Sequence, residues 1–113
     1  MILRKIQNIL FEFIFFKNKL LLKIIGVTFG SNVDIFSIAS ISCPHKLYIG
    51  DNVWIGKNVS LYAESGIRMG NNIIIAKDVS IISSDHTFIN TSKSVKFQGI
   101  KIENKPIIIG SNV

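Results

Sequence analysis

Only His45 and His86 carry an imidazole in this 113-residue chain, the group best suited to take up and return a proton near neutral pH. His86 stands in Ser84-Asp85-His86-Thr87-Phe88, next to a carboxylate that could orient its ring. Adjacent residues on a strand diverge, so for Asp85 a corner hydrogen bond competes with that orienting role. A lone histidine is more often a surface or core residue than a catalyst, and the residues by themselves leave both readings open. His45 reads as a structural corner. Cys43 is the one cysteine, so no internal disulfide can form, which fits a reducing compartment.

What must position these groups is a repeat. Ile49-Gly50-Asp51-Asn52-Val53-Trp54 is followed at once by Ile55-Gly56-Lys57-Asn58-Val59-Ser60, two copies of one six-residue phrase. An aliphatic residue opens each phrase, glycine often follows, asparagine stands fourth and a small or β-branched residue fifth. A longer period overlies it. The phrases at Phe29, Ile49, Met69 and Ile109 step by twenty, twenty and forty residues. Within a layer the openers fall six apart: Phe29, Ile35, Ile41 and Leu47, then Ile49, Ile55, Leu61 and Ile67, then Met69, Ile75 and Ile81. The fifth positions are Val33, Ala39, Val53, Val59, Ser65, Ile73 and Val79.

A six-residue recurrence fits neither helical period, whereas a strand can turn positions five and one of successive phrases inward. The Gly-x-Asn between them makes the corner, and both residue types tolerate positive φ. Layers about 4.8 Å apart would then stack Ile35, Ile55 and Ile75 into one aliphatic ladder. Such stacking relaxes the limit that a short chain sets on core size. With 48% hydrophobic and 18% charged residues the chain is expected to fold as one domain. The net charge of +6 is read as solubility or as attraction to an anionic ligand or surface, with no nucleic-acid partner expected.

Residues 1–26 lack the repeat. Ile2, Ile6, Ile9, Leu10, Phe13 and Ile14 follow the spacing of one helix face, and Gly26 suits the helix end. Glu12 and the lysines leave the apolar runs too short to span a bilayer. No small-residue cleavage site follows a clean apolar stretch, so a secretory signal is not expected. Two roles remain for this amphipathic segment. It could cap the open end of the repeat, or residues 1–25, with Arg4, Lys5, Lys17, Lys19 and Lys23 against Glu12, could lie on an anionic membrane.

The repeat breaks once. After Ile81 the next opener is due at 87, yet the phrase leading into Ile109 begins at Ile107. A polar, lysine-bearing inserted loop over about 87–106 is expected, and loops of that length are more often functional than idle. His86 stands at its base.

These phrases resemble the hexapeptide repeat of the left-handed parallel β-helix acyltransferases. Ser84 to Phe88, the following loop and Pro106-Ile107-Ile108-Ile109-Gly110-Ser111-Asn112-Val113 are similar to the sugar O-acetyltransferase branch, which includes the maltose, galactoside and polysaccharide acetyltransferases. The resemblance covers residues 27–113 and implies an all-β solenoid, a left-handed parallel β-helix with an N-terminal helix and one long inserted loop. It also implies the handedness, which no spacing gives. In its terms His86 matches the catalytic histidine, and the activity is O-acetyl transfer from acetyl-coenzyme A to a sugar hydroxyl in polysaccharide or glycan synthesis.

An imidazole of ordinary pKa, about 6.5, can take the hydroxyl proton during attack on the thioester and then protonate the leaving thiolate. No covalent enzyme intermediate is needed. The oxyanion requires a donor, and no residue of the sequence stands out for it. The resemblance further implies a homotrimer with sites between subunits and no metal, and the amphipathic, basic N-terminus favours work in the cytoplasm at the inner membrane face. The β-helical carbonic anhydrases, similar at fold level, bind zinc through three histidines, and this chain has two. The family's substrate-binding asparagine has no equivalent near Leu61-Tyr62-Ala63-Glu64. The resembling enzymes continue with further coils that carry much of the coenzyme groove, so the chain is expected to be truncated, with its cofactor-binding residues unknown. Lys101 and Lys105 could meet coenzyme phosphates. The alternatives are N-acyl transfer to an amino-sugar nucleotide and a catalytically inactive solenoid that only associates.

Overall fold

The structure, a computed structural model, describes residues 2–86, 100–102 and 105–113, with the backbone alone at 84–86 and 100–102. A helix, α1 (Ile2–Ile24), leads into short strands. In chain order these are β1 (Thr28–Phe29), β2 (Val33–Ile35), β3 (Ile38–Ser42), β4 (Leu47–Ile49), β5 (Val53–Ile55) and β6 (Val59–Tyr62). There follow β7 (Ile67–Met69), β8 (Ile73–Ile75), β9 (Ser80–Ile82), β10 (Ser84–His86), β11 (Ile100–Ile102) and β12 (Ile107–Ile109).

The strands build three parallel sheets, in the orders β1-β4-β7-β12, β2-β5-β8 and β3-β6-β9. Each partner lies one period away, as in Val33↔Val53↔Ile73 and Ile35↔Ile55↔Ile75. An arrangement of this kind is consistent with a parallel β-helix. Strand alternation turns Val53, Ile55, Val59, Leu61 and Ile67 inward, all at most 1% exposed, and leaves Trp54, Ser60 and Arg68 outside. No polar side chain is buried among the described residues.

The corners divide between asparagine and glycine a role that the repeat pattern assigns to both together. Asn32, Asn52, Asn72 and Asn112 adopt the left-handed region, with φ between 56° and 66°, as do Asn58 and Asp78 at the second corner. Their side chains link the layers: Asn32 Nδ2 donates to Asn52 Oδ1 at 2.7 Å, Asn52 to Asn72 at 3.1 Å and Asn72 to Asn112 at 3.3 Å. The phrase glycines Gly50, Gly56 and Gly70 are not among the positive-φ residues. Their reason is space, since a Cβ at Gly56 would stand 2.8 Å from Lys77 N and one at Gly70 would stand 2.6 Å from Ser111 Oγ.

The first layer departs from the six-residue rule. Ile38, not Ala39, takes the inward place opposite Val59, and Ala39 is left exposed as the unpaired residue of a bulge before Ser40↔Ser60. The cause is a shorter corner. Phe36-Ser37 has one residue fewer than Gly56-Lys57-Asn58, and the bulge restores the count. Ser37 compensates by accepting the Asn58 N–H on its Oγ at 2.8 Å.

At the other end of the chain β12 pairs with β7, Ile107↔Ile67, across forty residues. That is twice the usual step for one layer of stacking. Between them β10 and β11 pair with each other, antiparallel, so the excursion begins at Ser84 rather than 87.

Helix α1 ends in a Schellman motif. Gly26, at φ 107°, lets Val27 N donate to Leu22 O at 3.0 Å and Gly26 N to Lys23 O at 3.2 Å. The turn aims the helix back across β2, the outermost strand of its sheet. Asn18 Nδ2 there donates to Ile35 O at 2.7 Å and Phe36 O at 2.8 Å, carbonyls at the end of the stack. Phe11 and Phe15 lie 5.7 and 6.4 Å from the Phe36 ring, and Leu22 is buried. The docked face is therefore Phe11, Phe15, Asn18 and Leu22; of the stripe expected from spacing Ile14 is half-buried, and Ile2, Ile6, Ile9, Leu10 and Phe13 are exposed. Apolar residues cover most of the helix circumference, so periodicity alone does not choose the side. Asn18→Ala should strip both carbonyls of a partner and cost about 1–3 kcal/mol. An unchanged urea midpoint would show that water satisfies this edge equally well.

Candidate functional site

The break in the repeat is anchored by one serine. Ser83, between β9 and β10, donates its backbone N–H to Tyr62 O at 2.9 Å and its hydroxyl to the same oxygen at 2.8 Å. Its Oγ in turn accepts the Ser65 N–H at 3.0 Å. Three bonds thus fix the chain to the layer below just before Asp85 and His86. These two lie on β10, where Asp85 is opposite Lys101 and His86 opposite Ile100. Their side chains lie outside the described residues, as do positions 87–99 and 103–104 of the loop expected over about 87–106.

Below β10 the outer face of the third sheet is lined with hydroxyls. Ser40, Ser60 and Ser80 form one column, and Ser42, Tyr62 and Ile82 form the next. Ser40 Oγ and the Tyr62 hydroxyl are 2.7 Å apart and joined by one hydrogen bond. Ser42 Oγ donates to Glu64 Oε1 at 2.5 Å, and Lys46 Nζ donates to Glu64 O at 2.9 Å. Such a face can exchange hydrogen bonds with a hydroxyl-rich molecule while offering little charge. Sequence reading passed over these serines. Their signal was present, a serine at every twentieth residue from Ser40 to Ser80.

The other two outer faces are of different character. Asp34, Trp54 and Ile74 form a column beside the asparagine ladder, with Trp54 40% exposed. On the first sheet the Arg68 guanidinium stands 5.2 Å from the Tyr48 ring centroid, a cation–π contact at the surface. His45 is exposed in the 3-10 turn Pro44–Lys46, entered through Cys43 in a left-handed conformation at φ 49°. Lys105 is exposed beside Pro106. Among the described residues no three His, Cys, Asp or Glu side chains are grouped to hold a metal ion.

No family model, no curated protein and no solved structure matches this chain.

Proposed function

We propose that the chain is an acetyl-coenzyme A-dependent O-acetyltransferase acting on a sugar hydroxyl, with His86 as general base. One observation carries the reading: layers that stack at a fixed twenty-residue step are interrupted once, by the β10–β11 pair that bears Asp85 and His86. The hydroxyl-lined face leading up to that pair supports a polyhydroxylated acceptor. In full, the parallel sheets wind as a left-handed β-helix, three copies assemble with the acceptor site between them, and Asp85 orients the imidazole.

The reaction divides into two proton transfers. The acceptor oxygen forms its bond to the thioester carbonyl carbon as its proton passes to His86. The tetrahedral oxyanion then collapses, the carbon–sulfur bond breaks, and the imidazolium returns the proton to the departing thiolate. The acyl donor is consumed as substrate, and no resident cofactor or metal takes part.

Incubating the chain with acetyl-coenzyme A and a panel of mono- and oligosaccharides tests this by release of free thiol together with acetylated sugar. Acetylation at a ring oxygen is the expected product. Acetylation of an amino sugar at nitrogen would instead establish the N-acyl alternative, and no thiol release with any acceptor would leave the chain an association module.

A further inference from the structure

The sequence set two roles for α1 against each other, a lid on the stacked layers or a helix lying on a membrane. The structure separates them onto opposite faces of one helix. The face carrying Phe11, Phe15, Asn18 and Leu22 is used by β2 and Phe36. On the other side Ile6, Ile9, Phe13, Phe16, Leu20 and Ile24 recur at steps of three and four residues, between 48% and 72% exposed. Two phenylalanines at 64% exposure on a helix whose other side is already docked are not accounted for by the fold.

Charge decides what covers them. The helix carries Arg4, Lys5, Lys17, Lys19 and Lys23 against a single acid, Glu12. On a helical projection Lys5, Lys19 and Lys23, with Glu12 among them, border the apolar stripe on one side, and Lys17 lies toward its other border. Five basic groups against one acid leave the helix strongly positive, so a second copy docked face to face would bring two like-charged helices together. An anionic surface neutralises them while the rings and aliphatic side chains enter the headgroup boundary. No helix among the described residues is long and apolar enough to cross a membrane, so the contact is one of lying on the surface.

We propose that α1 binds an anionic lipid surface through its Ile6, Ile9, Phe13, Phe16, Leu20 and Ile24 face while its opposite face stays docked on β2. The layers then stand behind the helix, held at the bilayer rather than in it. The proposal is independent of acetyl transfer.

Co-sedimentation of the intact chain with vesicles is the test. Binding is expected to vesicles of phosphatidylglycerol and phosphatidylcholine and to be largely lost with phosphatidylcholine alone. Phe13→Ser with Phe16→Ser should weaken it by on the order of ten-fold per ring, with an unchanged circular dichroism spectrum because both rings are largely exposed. Raising the salt concentration should weaken it further. Equal binding to both vesicle types, or none to either, would overturn the proposal. So would a concentration-dependent oligomer without vesicles that the double serine variant dissolves, because a second copy would then be the occupant.

Discussion

His86→Ala should lower the rate of acetyl transfer by about 10²–10⁴-fold, the range that a positioned general base contributes. On the proposed reading an acceptor could still bind along the Ser40, Ser60 and Tyr62 face, but its hydroxyl would have no group to receive its proton. Binding should therefore suffer less than turnover, and the loss should appear in kcat more than in KM. A second readout separates chemistry from damage to the fold. The far-UV circular dichroism spectrum and the urea midpoint of His86→Ala should match those of the unsubstituted protein while the rate falls. Transfer at the original rate by His86→Ala would remove the assignment, and the β10–β11 pair would then be a structural excursion.

Gly50→Ala should destabilise the stack by about 1–3 kcal/mol or more, for a single added methyl group. The new Cβ would run into the Gly70 carbonyl oxygen and stand 2.5 Å from Asn71 Oδ1 and 2.7 Å from the Gly70 carbonyl carbon. Most of these atoms are backbone, so no rotamer change clears them. Nor can the layers part locally, because Asp51 N is held to Asn71 Oδ1 at 2.8 Å and Asn72 N to Asp51 O at 2.9 Å. The urea midpoint should fall, with Lys77→Ala on the next layer as an exposed control expected within about 0.5 kcal/mol. A Gly50→Ala protein as stable as the original would mean that the corner is looser than its geometry implies.

Gly50 also illustrates what could be read from the chain and what could not. The twenty-residue step is visible because the buried positions are all apolar, and Ile35, Ile55 and Ile75 do stack. The left-handed corners were legible at Asn52 and Asn72, since few residue types tolerate that conformation. Glycine next to them suggested the same cause, yet its cause is the neighbouring layer, which no local pattern reveals. Ala39 was misplaced for a similar reason. The phrase count assumes equal corners, and the shortened Phe36-Ser37 turn becomes apparent only when Ile38 is seen opposite Val59.

For α1 the difficulty was an excess of signal. Leucine, isoleucine and phenylalanine ring the helix, so the docking side is set by one polar residue, Asn18, whose partners lie 17 and 18 residues ahead. At the candidate site the break after Ile81 could be counted directly. The hydroxyl columns beneath it could not be recognised as a surface until Ser40, Ser60 and Ser80 were brought side by side.

The amide of Asn18 has a consequence for the protein as a population of molecules. A naked β2 would offer its row of carbonyls as a template on which another chain's strand could be laid, and stacked strands of this kind join readily into fibres. By occupying Ile35 O and Phe36 O, and by laying an aromatic pair over Phe36, α1 takes the β2 edge away from a neighbouring strand. The same helix that packs on β2 thus removes one edge from which a molecule could seed growth on the next.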